Sequence, residues 1–145
     1  MPAPRSLWIP ARTDALARVR HRVAAWGAEA GLSDRRARRL VLAVDEACAN
    51  AIEHGLKGRP DGRLTLRADV VKGRVEVVVR HRAARFDPTA IPHALPPRDL
   101  VAKAVARRAA HGYGLPLLNT LVDSVSYRWD RGTNELRLVA GADAA

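Results

Sequence analysis

From Ser33 to Gly55 polar and small apolar residues recur with the period of a helix. At about 100° per residue, Ala37, Leu40, Val41, Val44, Cys48, Ala51 and Ile52 fall on one stripe, which predicts a core face. Ser33 stands where an N-cap belongs. Glu46 and Asn50 lie about 40° apart on the opposite face, and Glu53 and His54 extend that polar stripe. Leu42, Ala43 and Ala49 flank it, so it is not an ordinary solvated face. A carboxylate and an amide among small apolar neighbours need partners, or a ligand, to offset their desolvation.

The same reading continues along the chain. Ser6 to Ile9 predicts a short strand. Thr13 is placed to cap a helix running to about Ala30, with Leu16, Val19, Val23 and either Ala24 or Trp26 inward, ended by Gly31 at C′. Gly55 to Gly62 reads as a loop and a tight turn. Leu64, Leu66, Ala68 and Val70 alternate over Arg63 to Lys72, and Val75, Val77 and Val79 over Arg74 to Arg82. This predicts a hairpin joined at Lys72-Gly73. Pro88, Pro92, Pro96 and Pro97 let neither helix nor strand persist from Ala83 to Pro97. A helix is expected from about Arg98 to Ala110, then a short apolar helix over Leu115 to Leu121. Ser124 to Trp129 and Glu135 to Val139 form a last hairpin, and Gly141 to Ala145 a frayed tail. This order predicts one domain over residues 1–145. Its class is α+β, a two-layer sandwich with helices on one face of a mainly antiparallel sheet.

Composition narrows the setting. Hydrophobic residues make up 48% and aromatics 4% of the 145 residues, so Ala, Val and Leu must build the core. Cys48 is the single cysteine, which rules out an internal disulfide and fits a cytoplasmic protein. No apolar run is long enough to span a bilayer, and Met1 to Pro10 lacks the apolar core of a signal peptide. The net charge is +10, carried almost wholly by arginine. The arginines are dispersed, except Arg35, Arg36, Arg38 and Arg39 in one helix turn, and no aromatic platforms alternate with them. Charge spread over the surface is therefore preferred to a nucleic-acid interface, for which that turn would be the footprint.

Three stretches carry a family resemblance. The run DEACANAIEHG, with Glu46, Asn50, His54 and Gly55, resembles the N box of the GHKL (Bergerat-fold) ATPases. Its wording is most similar to the anti-sigma-factor serine kinases of the RsbW/SpoIIAB type. Gly112-Tyr113-Gly114-Leu115 and the apolar helix after it resemble the second glycine box of that family. Glycines let the backbone approach a phosphate, and the N–H groups of the following helix bind the anion. Arg131-Gly132-Thr133 resembles the family's Gly-Thr, whose threonine supports the adenine pocket; Thr133 reads equally well as a plain turn residue. The first glycine box departs from the family's Asp-x-Gly-x-Gly-Phe-Asp-Pro. With Phe86-Asp87-Pro88 setting the register, the aspartate falls on His81 and the glycines on Ala83 and Arg85. An adenine amino group needs an acceptor, which neutral histidine offers through one ring nitrogen and imidazolium does not.

By position, the resemblance implies that Glu46 is the base activating an attacking hydroxyl and that Asn50 holds Mg²⁺ with phosphate oxygens. His54, His81, Asp87, Gly112, Gly114, Leu115 and Thr133 would complete an ATP site. The implied function is an ATP-binding anti-sigma regulator of a sigma factor or a STAS-domain anti-anti-sigma protein, phosphorylating the latter on Ser or Thr if active. A homodimer with no membrane association is expected. The alternative is a pseudokinase that keeps the fold as a binding module. His81, Ala83 and Arg85 favour it, and the Glu46/Asn50 pair disfavours it. A basic nucleic-acid-binding domain is the third reading.

Overall fold

The computed structural model describes residues 2–57, 59, 61–87 and 114–141. Strand β1 (Ser6–Pro10) is followed by α1 (Leu16–Ala30) and α2 (Asp34–Asn50). The hairpin β2 (Arg63–Val71) and β3 (Arg74–Arg82) comes next. Helix α3 (Gly114–Leu121) leads into a second hairpin, β4 (Ser124–Asp130) and β5 (Thr133–Gly141). The sheet order is β1-β2-β3-β5-β4, and every neighbouring pair is antiparallel. The α+β sandwich expected from the sequence is thus the fold. The expected Arg98 to Ala110 helix and the proline-rich stretch before it lie outside the described residues.

Local chemistry sets the element ends. Ser33 Oγ accepts the Arg36 N–H at 3.2 Å and caps α2. Gly31 ends α1 in the left-handed region at φ 76°, where a Cβ would be strained. Thr13 does not cap α1: it opens a single 3₁₀ turn, Thr13–Ala15, and α1 begins after it without a side-chain cap. The β4–β5 turn is the dipeptide Arg131-Gly132, with φ 51° and 84°, as a two-residue turn of matching twist requires.

Strand alternation puts Leu64 and Leu66 of β2, Val75, Val77 and Val79 of β3, and Leu136, Leu138 and Ala140 of β5 toward the helices. Trp26, not Ala24, is the inward residue of α1; it is fully buried and its Nε1–H donates to Pro4 O at 3.0 Å. The helices are tied together by charge as well. Arg20 of α1 pairs with Asp45 of α2 at 2.9 Å. Two of the four clustered arginines are also structural: Arg36 reaches Asp123 at 2.8 Å, and Arg39 donates to Thr120 O. That helix turn is a clamp onto the end of α3 rather than a free basic patch. Among the described residues, no helix is long and apolar enough to cross a membrane.

Candidate functional site

Glu46 and Asn50 sit side by side on the last turns of α2, 8% and 4% exposed. The amide nitrogen of Asn50 has no hydrogen-bond partner among the described residues. A buried amide with one unmatched end is costly in an apolar layer unless something else supplies the match. Beyond Asn50 the helix widens into a π turn, Ala51–Gly55, closed by the Leu56 N–H donating to Ala51 O at 2.7 Å. Such turns carry more residues per turn than the α-helix, so Glu53 and His54 leave the α-helical schedule that the sequence reading assumed. Glu53 is half-buried and His54 exposed. The His54 ring lies on Phe86, with centroids 6.1 Å apart and planes 28° apart.

His81 lies on the helix-facing side of β3, opposite Asn134 on β5, and is 6% exposed. Desolvation pulls its pKa down from 6.5 to about 4, so the ring is neutral at physiological pH. Its Nε2 has no hydrogen-bond partner among the described residues and faces Gly55, where a Cβ would stand only 2.5 Å away. His81 therefore occupies the space that glycine leaves open.

The segment that replaces the first glycine box is fastened to the sheet. The Phe86 N–H donates to Asn134 Oδ1 at 2.8 Å and to Tyr127 Oη at 3.2 Å. Asn134 Nδ2 donates to Ala84 O at 3.0 Å and to Ala83 O at 3.3 Å. The Tyr127 hydroxyl donates to Asn134 Oδ1, and the Trp129 indole to Ala83 O at 3.2 Å. The Arg85 guanidinium stands over the Tyr127 ring at 5.7 Å and lies 3.9 Å from the Asp87 carboxylate, which is half-buried. Phe86, Tyr127, His81, Asn134, Val79 and Leu136 of this assembly meet Ala47 and Ala51 of α2 around a cavity of about 20 Å³. That is room for one water, against several hundred Å³ for a small-molecule pocket.

Of the two readings of Thr133, adenine-pocket residue or plain turn residue, its place favours the second: it pairs with Arg82 and with Asp130 beside the turn, on the face of the sheet turned away from the helices, and Asn134 holds the inward position. The signal was present in the sequence: counting back by twos from Ala140, Leu138 and Leu136 reaches Asn134, not Thr133. Gly114 and Leu115 open α3, which packs against α2. Gly112 lies outside the described residues. Among the described residues, the unmatched Asn50 Nδ2–H would suit a phosphate oxygen, while Asn50 Oδ1 beside Glu46 is the kind of oxygen donor that an Mg²⁺ ion would take. At His81, the position the family register gives to the adenine acceptor, the described residues Phe86, Tyr127 and His81 leave room for no more than one water.

A strand-and-helix sandwich with an N-box pair on its second helix defines a class. Residues 9–140 match the histidine kinase-like ATPase domain family, and the chain belongs to it. Within that family it is similar to the serine-protein kinase RsbW of Listeria monocytogenes, at 30% identity over 129 residues, covering 89% of this chain and 82% of that one. It is 36% identical over 95 residues to RsbW of Bacillus pumilus, covering 64% of this chain and 58% of that one. Its fold matches the RsbU and RsbW domains of a Mycobacterium tuberculosis protein with a TM-score of 0.62 at 21% identity, over 95% of this chain. The chain spans 32% of that longer structure.

Proposed function

We propose that this chain is a binding regulator of the RsbW type, acting in the cytoplasm as a homodimer. It captures a sigma factor or a STAS-domain anti-anti-sigma protein, and it holds nucleotide weakly. The observation that carries this reading is the small cavity beside His81: Phe86, fastened by Asn134 and Tyr127, leaves about 20 Å³ there. His81 stands where an acidic acceptor would read adenine, and its neutral ring is already buried against Gly55. Membership of the histidine kinase-like ATPase family and similarity to serine-protein kinases support the partner class.

A second reading, an active serine kinase, is favoured by one observation. Asn50 keeps an unmatched Nδ2–H donor beside a buried carboxylate, the chemistry that suits a phosphate oxygen. In that reading Asn50 would hold the ion and Glu46 would take the proton of the attacking hydroxyl. Calorimetry separates the two. The purified chain is titrated with the sigma factor and the STAS-domain protein encoded in its own genome, with and without Mg·ATP. The binding reading expects partner affinity that is independent of nucleotide and little heat from Mg·ATP alone. Tight Mg·ATP binding on which partner binding depends would establish the kinase instead.

A further inference from the structure

The arginines that look dispersed in the sequence are not dispersed in space. Alternation along the strands collects them on the face of the sheet turned away from the helices. Strand β3 sends Arg74, Arg80 and Arg82 there, β2 sends Arg63 and Arg67, and β4 and β5 send Arg128 and Arg137. The acids on the same face are Asp69, Glu76, Asp130 and Glu135. Seven cations thus face four carboxylates, and two of those carboxylates each hold several arginines. Glu135 is buried under Arg80 at 2.8 Å, Arg137 at 3.2 Å and Arg128 at 3.8 Å. Glu76 receives Arg137 at 2.7 Å and Arg74 at 3.2 Å.

The surplus gathers at one end. Arg82 makes no ion pair among the described residues, and Arg131 in the adjoining turn, 94% exposed, reaches Asp130 only at 4.0 Å. With Arg80, Arg128, Asp130, Glu135 and the half-buried Thr133 they line a groove of about 320 Å³, four arginines against two carboxylates. We propose that this groove and the arginine face beside it are a docking surface for an acidic segment of a partner protein. Charge complementarity selects that occupant. A second copy of the chain, docked by a two-fold axis, would set Arg82 and Arg131 against cations of the same face. A nucleic acid binds best where aromatic platforms stand free beside the cations. The outward aromatic side chain of β1, Trp8, already has the Arg63 guanidinium over its ring at 4.2 Å. The docking surface goes beyond the regulatory reading and holds whether or not nucleotide binds. The Arg82–Thr133 pair directly follows the His81–Asn134 pair, so a partner seated in the groove bears on the same strand ends that close the adenine end from the other face.

The test uses a fluorescein-labelled poly-glutamate peptide, with anisotropy read at low and at physiological ionic strength. The Arg82→Glu/Arg131→Glu variant removes the two surplus cations of the groove. The Arg18→Glu/Arg35→Glu variant makes the same charge change on the helix layer. The groove variant is expected to weaken peptide binding about tenfold or more, and the helix variant by no more than about twofold. In the unaltered protein, peptide addition should shift the backbone amide resonances of Arg82, Arg131 and Thr133, which keeps the proposal testable if a variant unfolds. Three results would overturn it. The two variants could lose affinity equally, single-stranded DNA could bind the groove more tightly than the peptide, or the chain could self-associate through the groove, with the groove variant abolishing the association.

Discussion

His81 and Gly55 share one space: a Cβ on residue 55 would stand 2.5 Å from His81 Nε2, closer than any side chain tolerates. The close approach joins the end of the N-box helix to the strand that carries the first glycine box. Gly55→Ala should therefore destabilise the fold by about 1–3 kcal/mol through overpacking. His81→Ala should recover most of that loss in the double variant, because it removes the atoms in conflict. Urea unfolding of the two single variants and the double variant measures the coupling. Additive losses would show that the two residues do not share the space.

The same histidine gives the stability a pH window. Its folded pKa, pulled down by desolvation to about 4, lies below the 6.5 of a free histidine. Between those values the unfolded chain binds a proton that the folded chain refuses, so stability rises with pH across the window. At and above neutral pH this group contributes no change. As pH falls from 6.5 to about 4, it should cost about 3 kcal/mol in all, at about 1.4 kcal/mol per unit. Urea midpoints measured across that range should fall in the unaltered protein and flatten in His81→Gln. An unchanged slope in the variant would assign the pH dependence to other groups.

Much of the fold was legible because its signals are local. The β2–β3 hairpin follows from strict alternation around Lys72-Gly73, and Ser33 and Gly31 mark helix ends through chemistry that acts within a few residues. The site was half legible. Glu46 and Asn50 share a stripe that periodicity exposes, but the π turn after them does not show, since Ile52 and Leu56 read as inward in either kind of helix. Thr133 stayed open between pocket and turn because the wording of a motif does not carry the parity of its strand. The arginine face was missed for a related reason. Its members are far apart in sequence, and only the sheet register brings them together.

Asn134 is the residue on which the closed adenine end depends. It accepts the Phe86 N–H and donates to the carbonyls of Ala83 and Ala84. Asn134→Ala should cost about 1–3 kcal/mol by removing three hydrogen bonds to the backbone of Ala83, Ala84 and Phe86. It should also free the segment and raise the affinity for Mg·ATP, since Phe86 then leaves the cavity at lower cost. Thermal melting and calorimetry on the same sample check both signs. A destabilised variant with unchanged nucleotide affinity would show that Phe86 does not bar the site.

Restoring the family's first glycine box tests the chemistry from the other side. His81→Asp with Ala83→Gly and Arg85→Gly supplies a carboxylate acceptor and removes the bulk that keeps the backbone from a ligand. A hydrogen bond to a charged acceptor is worth roughly 1.5–3 kcal/mol, or about one to two decades in affinity. The triple variant should therefore bind Mg·ATP at least about tenfold more tightly than the unaltered chain. The gain should be larger when Asn134→Ala is added, because the segment must leave the cavity before adenine can enter it. Glu46→Ala in the restored protein should leave nucleotide affinity nearly unchanged and abolish phosphate transfer to a STAS-domain partner. If the unaltered chain already binds Mg·ATP as tightly as the triple variant, the erosion at His81, Ala83 and Arg85 has no functional weight and the kinase reading stands. If no variant binds nucleotide, the defect lies at the phosphate end, with Asn50 buried for the fold alone.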